Sequence, residues 1–555
     1  MAGFVSVERL AYGPWQAFER MLARMLEHAG FKDVYVVGGS GDMGADIVGT
    51  LNGSRWVVQA KFRDSAGVDS SAAREVVRSI SAYEASTAVA AASTYFTEDA
   101  YLYHDEVLLS GIELYLWAGN HLIEYWDELP EHSKQVRTPR DYQQSAIDAV
   151  ESHRGNGRKS ALIVMATGLG KSLVANQLIA NELDRNREQE VLVLAHTNDL
   201  VKQLEASSWS QLKKHWSTHL WCDGEVPAYA GGVVFATWQS VFAAIKRGED
   251  LDRKFGLVVV DEAHHSPSAS YSQLLAELNP NMLVGLTATP WRGDDRSLKE
   301  IYGDPVYTMD VVQGMQRGFL AEVDYRMLVD GLDWEGIAER TKQGLTVKNL
   351  NELLILPDRD SAIVESIADE IEKVPDPRVL VFCKSIEHAE RIQPMFAAFG
   401  IRAAVIHSKL DRVQRFKSLS SFRRGDIDVL ISVEMLNEGI DVPEVNIIAF
   451  MRVTHSRRIF IQQLGRGLRV SGTKEKVVVL DFVADIRRIA AGVSLNSRAT
   501  SIASDAKDRE IIRFHEGEVV KFSDARAENF FDEYLADISG LEDLDESSRL
   551  KFPAR

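Results

Sequence analysis

Cysteine is nearly absent: the 555-residue chain has two, Cys222 and Cys383, far apart and in no CxxC pair. That excludes a disulfide framework and a cysteine-built zinc site, and it makes a reducing cytoplasm the expected compartment. No run of 18 apolar residues occurs, and residues 1–13 contain no basic stretch leading into an apolar core. Neither a membrane span nor a signal peptide is therefore predicted. Basic charge is in deficit: 63 Lys and Arg against 81 Asp and Glu leave a net charge of −18. Bulk charge does not favour indiscriminate coating of a polyanion, although an acidic protein can carry a local basic groove. Internal repeats and long low-complexity tracts are also missing. What is present, 45% hydrophobic and 26% charged residues, is the composition of a soluble globular protein. The length leaves room for three or four domains at ~100 to 200 residues each.

Residues 13–30 place Trp15, Phe18, Leu22, Met25, Leu26 and Ala29 at helical spacing, with Pro14 suited to a first turn and Gly30 to a stop. Short apolar runs follow at Val34–Val37, Ile47–Gly49 and Trp56–Ala60, broken by a glycine-rich turn over Gly38–Gly44. This predicts a helix followed by a small sheet. Ala85–Ala92 fits a tightly packed strand or helix, and the polar, proline-flanked Leu129–Pro139 fits a linker. From Arg140 buried strands alternate with helical stretches, at Ala161–Met165, Val191–Ala195, Val233–Ala236, Leu257–Val260 and Leu283–Leu286. After a mixed stretch over Val311–Pro357 a second series runs through Val379–Phe382, Ala404–Ile406, Val429–Ser432, Ile447–Phe450 and Val477–Leu480. Two doubly wound α/β lobes are implied. Beyond Asp485 the chain is polar and acidic, with no legible fold signature.

The first strand of the first lobe runs into Ala166-Thr167-Gly168-Leu169-Gly170-Lys171-Ser172 and then a helical stretch. Such a loop wraps phosphates with backbone N–H groups at Thr167, Gly168 and Gly170, while Lys171 reaches the β and γ oxygens and Ser172 a Mg²⁺ ion. The first glycine of the general pattern is replaced by Met165. At the end of the strand Leu257–Val260 stands Asp261-Glu262-Ala263-His264, a carboxylate pair where parallel sheets bind ligands. Asp261 is suited to the Mg²⁺ shell and Glu262 to orienting the attacking water.

These motifs, with Thr287-Ala288-Thr289 and Gln462-Gln463-Leu464-Gly465-Arg466-Gly467-Leu468-Arg469, resemble the ordered motifs of superfamily 2 helicases over about Arg140–Asp485. The resemblance implies ATP as the bound nucleotide and two RecA-like lobes. It places Gln143 at the adenine, Arg140 as a stacking partner and Asp441, in Glu438-Gly439-Ile440-Asp441, near the ribose. Arg466 and Arg469 become the candidates for transition-state charge, a role worth ~10³ to 10⁵ in rate. It further implies a sequence-independent nucleic-acid track through Thr197, Thr237-Trp238-Gln239-Ser240 and Cys383-Lys384-Ser385, although His196 departs from the proline more usual there. Trp238 fits core packing about as well, and Cys383 fits a small core residue better than a nucleophile.

In the N-terminal region Glu19 lies on the opening helix, Asp46 enters a strand, and Gln59-Ala60-Lys61 lies on the next, with Gln59 and Lys61 on one face. Two carboxylates and a neutral amide oxygen suit a hard Mg²⁺ ion, and Lys61 can steady the water or the pentavalent phosphate. Taken alone, D…QxK also describes a solvated edge strand. With Phe18-Glu19, Gly38 through Ile47, Val58-Gln59-Ala60-Lys61-Phe62 and Tyr95 through Ala100, the region resembles the Mrr-type branch of PD-(D/E)xK restriction endonucleases, over roughly Gly13–Asp127. The resemblance implies Asp46 and Lys61 as the catalytic pair, Gln59 as the third site and Glu19 as an auxiliary acid. Asp42 suits a turn former, and His104 and His121, lacking partners at metal spacing, read as structural.

The expected α/β architecture is a restriction-endonuclease-like αβ domain over residues 1–130, a first RecA-like lobe over 131–310 and an inter-lobe connection over 311–360. A second lobe over 361–488 and an acidic C-terminal region over 489–555 complete it. By resemblance to motor subunits of restriction systems, this implies an ATP-driven motor on double-stranded DNA fused to an Mg²⁺-dependent endonuclease, acting in bacterial defence with a possible partner protein and away from membranes. Two alternatives stay open: a repair or processing helicase whose first domain chiefly binds DNA, and a nucleotide-switched scaffold whose ATPase ignores DNA. The sequence carries no signature of oligomeric state.

Overall fold

A computed structural model of the chain describes residues 5–6, 10, 14–38, 43–186, 189–248, 253–288, 296–327, 360–383, 385–433, 444–451, 476–482 and 512–514. It divides into two compact units, the first made of Met1–Val164, Gly170–Thr308 and Asp411–Lys417, the second of the remainder.

The first unit opens with helix α1, Trp15–His28, entered from Pro14 in an extended conformation. Phe18, Met21, Leu22, Met25 and Leu26 recur at helical spacing and are all buried. Each contributes about 2 kcal/mol of burial. They face a five-stranded sheet of β1 (Lys32–Val36), β2 (Ile47–Leu51), β3 (Ser54–Lys61), β4 (Thr87–Ala92) and β5 (Glu113–Trp117), paired in that order. The β1–β2 and β2–β3 pairs are antiparallel, and the β3–β4 and β4–β5 pairs parallel. Helices α2 (Ser70–Tyr83) and α3 (Glu98–Leu109) cover the opposite face, and α4 (Gly119–Glu128) lies with α1. Every residue of β4 is buried, so the alanine-rich segment is a central strand with small side chains toward both layers.

The first unit also holds a seven-stranded sheet. Its strands are β6 (Ser160–Met165), β7 (Glu190–Ala195), β8 (Thr218–Trp221), β9 (Val233–Thr237), β10 (Phe255–Val260), β11 (Met282–Thr287) and β12 (Pro305–Met309), in the order β12-β6-β11-β10-β7-β9-β8. From β6 to β8 every pairing is parallel. Helices α5 (Asp141–Gly155), α6 (Lys171–Arg185), α7 (Asn198–Trp209), α8 (Trp238–Lys246) and α9 (Ala269–Leu278) provide its crossovers and flanks.

The second unit contains a seven-stranded, all-parallel sheet of β13 (Glu322–Met327), β14 (Val379–Phe382), β15 (Ala403–His407), β16 (Val429–Val433), β17 (Ile447–Phe450), β18 (Lys476–Asp481) and β19 (Ile512–Phe514). Two of its strands lie where the sequence shows no strand signal. β13 falls in the stretch read as an inter-lobe connection, because Glu322, Asp324 and Arg326 interrupt its apolar residues; Asp324 is fully buried and paired with Lys476 of β18. β19 pairs with β13 from within the acidic C-terminal region. Among the described residues no helix is long and apolar enough to cross a membrane.

Candidate active sites

Asp46 is pinned from both sides by backbone. Its carbonyl accepts from Val37 N at 2.7 Å and Gly38 N at 3.0 Å, and its own N–H donates to Val58 O at 2.8 Å. The carboxylate is 4% exposed, and one oxygen, Oδ2, accepts from Gln59 Nε2 at 2.5 Å and from Ala60 N at 2.7 Å. Oδ1 turns toward Glu19 across Gly38: a Cβ built on Gly38 would lie 2.9 Å from Asp46 Oδ1 and 2.8 Å from Glu19 Oε2. Only glycine leaves that space between the two acids. Glu19 and Gln59 are each 5% exposed, and Gln59 Oε1 is buried with no hydrogen-bond partner. An orphaned amide oxygen is costly unless something satisfies it. Glu19 Oε2, Asp46 Oδ1 and Gln59 Oε1 are the hard oxygen donors that a divalent cation such as Mg²⁺ takes, so the residues fit such an ion. No group of three His, Cys, Asp or Glu that could hold a metal ion occurs among the described residues; this set has two acids and an amide.

Lys61, two residues beyond Gln59 on β3, is partly buried, and its Nζ lies 2.6 Å from Glu75 Oε2 on α2. The sequence reading missed Glu75 because nothing in its spacing from the QxK strand marks it; the parallel return through α2 brings it there. Asp42 lies outside the described residues. His104 pairs with Asp105, and His121 stacks on Tyr125 with ring centroids 6.3 Å apart, both away from this set.

The phosphate loop ends at Gly170, whose φ of +81° is open to glycine and which caps α6. Lys171 and Ser172 occupy the first turn, where unpaired N–H groups and the helix dipole favour anions. Thr167 Oγ1 is buried without a hydrogen-bond partner. Gln143 is buried on α5, accepts from Arg140 N at 2.9 Å, and packs its amide nitrogen against Gly170 so closely that a Cβ there would clash. Arg140 caps α5, so the sequence motif and the loop meet through Gln143.

Asp261 follows β10 and donates its N–H to Leu194 O at 2.9 Å. Desolvation and the neighbouring Glu262 carboxylate push Asp261 up to about 6, against the pull of Lys171. Two crowded acids beside a phosphate loop fit a nucleotide-bound cation. Glu262 holds a left-handed backbone, φ 48° and ψ 52°, a strained conformation for a non-glycine residue. His264, buried, places Nδ1 3.1 Å from Thr287 Oγ1 and 3.3 Å from Glu262 Oε2. Because β10 and β11 are parallel neighbours, the DEAH motif and Thr287 become one network.

Thr197 caps α7, accepting from Leu200 N at 3.3 Å, and Thr237 caps α8, accepting from Ser240 N at 3.4 Å. Gln239 is exposed and donates to His196 O at 3.3 Å, joining these two turns. Trp238 stacks on Tyr271 with centroids 5.0 Å apart, so its ring packs against the core. Cys383 and Cys222 are both buried. Ser385 caps a helix in the second unit, accepting from His388 N at 3.2 Å. Lys384, Asp441, Arg466 and Arg469 lie outside the described residues, as does Thr289.

Three family models match the chain. Residues 11–126 match a restriction endonuclease model of the Mrr type, residues 137–292 the Res subunit of type III restriction enzymes, and residues 362–471 the helicase conserved C-terminal domain. Among curated proteins, the putative ATP-dependent helicase IRC3 of Saccharomyces cerevisiae is 26% identical over 69% of this chain and 57% of its own length. An endonuclease subunit of the type I restriction enzyme EcoAI of Escherichia coli is 25% identical over 62% of this chain and 46% of its own. The chain thus spans about half the length of these curated relatives. The DNA-bound structure of the type ISP restriction-modification enzyme LlaBIII shares the fold over 94% of this chain and 41% of its own, with a TM-score of 0.57 at 17% identity. The chain therefore joins a restriction endonuclease domain of the Mrr type to a superfamily 2 helicase core with parallel-sheet, RecA-like lobes.

Proposed function

We propose that the chain is an ATP-driven translocase on double-stranded DNA that carries its own Mg²⁺-dependent endonuclease, and that it restricts foreign phage or plasmid DNA in the bacterial cytoplasm, with a defence partner protein. The observation that carries this reading is the meeting of Glu19 and Asp46 around Gly38, with Gln59 bonded to Asp46 while its own oxygen stays unsatisfied, and with Lys61 on the same strand face as Gln59. A domain retained only to bind DNA has no need of that donor set.

In the first domain Glu19, Asp46 and Gln59 would hold the divalent cation, which when bound polarises the phosphate and acidifies a water. Gln59 Nε2 and Ala60 N hold Asp46 Oδ2 in place. Lys61 supplies positive charge to the pentavalent phosphate, and its ion pair with Glu75 fixes where the ammonium sits. In the motor, Thr167, Gly168, Gly170 and Lys171 would bind the ATP phosphates, and Ser172 and Asp261 would hold the nucleotide's Mg²⁺. Glu262 orients water, Gln143 and Arg140 hold the adenine side, and Asp441 the ribose. Arg466 and Arg469 supply transition-state charge. Hydroxyl and backbone contacts at Thr197 and Thr237 would grip DNA phosphates without reading sequence.

The test is cleavage of closed-circular DNA with Mg²⁺, with and without ATP, beside Lys171→Ala and Lys61→Ala, with phosphate release recorded in the same tubes. Cutting that needs both lysines is expected, with phosphate release falling ~10³-fold in Lys171→Ala alone. DNA-stimulated ATPase without cutting, in the unaltered chain, points instead to the processing helicase. ATPase indifferent to DNA points to the scaffold.

A further inference from the structure

Glu19 is the one member of the cation-holding set that does not come from the sheet, so its place depends on what holds α1. The next residue, Arg20, turns about 100° around the helix and meets the first motor lobe. Its Nε lies 2.9 Å from Glu205 Oε2, and an Nη donates to Glu225 Oε1 at 2.8 Å; the three side chains are 11%, 1% and 7% exposed. One turn on, Arg24 is fully buried and donates to the carbonyls of Trp216 at 2.5 Å and Lys213 at 2.9 Å. Glu205 is itself fixed by Thr218 Oγ1 at 2.8 Å. Trp209, the last residue of α7, is buried in the same apolar cluster as Leu22 and Leu26 of α1. From the lobe's side, Lys214 Nζ donates to the carbonyls of Trp126, Asp127 and Leu129 at the end of α4.

One face of α1 is therefore clamped by two buried guanidinium groups at i and i+4, while Glu19 meets Asp46 from another. A buried guanidinium between two carboxylates is stable only as a set, because removing one member leaves uncompensated charge. The helix that receives Arg20 also begins at Thr197, one of the residues expected on the DNA track.

Resting on the cation-dependent reading of the first domain, we propose that Arg20 is a positioning residue for that site. By binding Glu205 and Glu225 it fixes α1, and with it Glu19, so the hold of the nuclease domain on its cation is set by the lobe that carries Lys171.

The experiment is titration of the full-length chain with Mn²⁺ alone, followed by electron paramagnetic resonance and taking only the component lost in Asp46→Asn. Glu225→Gln lies outside both sites and keeps the shape of the side chain. It is expected to weaken that component about tenfold, with DNA-stimulated ATPase within about twofold, the scale on which indirect partners tune a metal site. Arg20→Gln should do the same, and Arg20→Lys should fall between, since an ammonium cannot fork to two carboxylates. Thermal midpoints near that of the unaltered chain show that the variants fold; should Arg20→Gln unfold, Glu225→Gln decides. Mn²⁺ binding unchanged in both Glu225→Gln and Arg20→Gln would overturn the role of Arg20 alone. No Asp46-dependent binding in the unaltered chain would overturn it together with the nuclease reading.

Discussion

The two candidate sites are built in opposite ways. The candidate ATP site lies at the ends of neighbouring parallel strands, β6, β10 and β11, and the groups proposed for it are largely backbone N–H groups and the side chains immediately following each strand. The candidate nuclease site is assembled from side chains on a helix, a strand entrance and a strand interior, with a gap at Gly38 that a Cβ would fill. Where backbone makes the site, the motif is contiguous and tolerates change around it. Where side chains make it, the packing between elements decides whether the donors meet.

The largest expected effect sharpens this contrast. Gly38→Ala forces Glu19 and Asp46 apart, and a misplacement on the order of 1 Å costs about 100-fold in rate. DNA cleavage should fall by that much while ATP hydrolysis in the same preparation is unchanged. Equal cleavage by Gly38→Ala and the unaltered chain would show that the two acids do not act together.

A smaller effect probes the motor. Thr287→Val removes the hydroxyl beside His264 while preserving volume, and one buried hydrogen bond worth about 1.4 kcal/mol corresponds to about tenfold in steady-state ATPase. Because cutting is expected to need Lys171, it should slow together with the ATPase.

The smallest effect lies in the unaltered protein. Burial raises Glu27 to about 7 and, with the Arg24 charge second, lowers His28 to about 4. As pH falls through the window from 7 to 4.5, the folded state takes up a proton at Glu27 before the unfolded state does, which adds stability. From 6.5 to 4 the unfolded state protonates His28 while the folded state does not, which removes stability. The two oppose each other, so their contributions nearly cancel between pH 6.5 and 4.5. In Glu27→Gln the His28 loss, up to about 3 kcal/mol by pH 4, is no longer offset by Glu27, so the variant should lose stability relative to the unaltered chain as pH falls. Differential scanning calorimetry at stepped pH compares the two chains, and parallel profiles would contradict the assignment.

How legible each region was in the sequence follows from the same difference. Most strands of the parallel sheets appear as unbroken apolar runs because both faces are covered, whereas β13 carries charged residues, one of which, Asp324, pairs with Lys476 far along the chain. The alanines of β4 fit two readings until the layers on either side showed why small residues are needed. Trp238 could be read as a DNA contact or as core, and Tyr271, from a different helix, decided for packing.

The sequence by itself determined the order and type of the domains, through the resemblance of their motifs, and the phosphate loop, the acidic pair at Asp261 and Glu262, and the candidates Glu19, Asp46, Gln59 and Lys61, because each rests on residues close together in the chain. Tertiary structure alone decided that Gln59 Oε1 is left unsatisfied, that Glu75 meets Lys61, that His264 meets Thr287 and that Arg20 is held by Glu205 and Glu225. Those contacts join residues up to 205 positions apart. No local pattern encodes them; they arise only when separate elements exclude water from the same volume and leave polar atoms to find partners there.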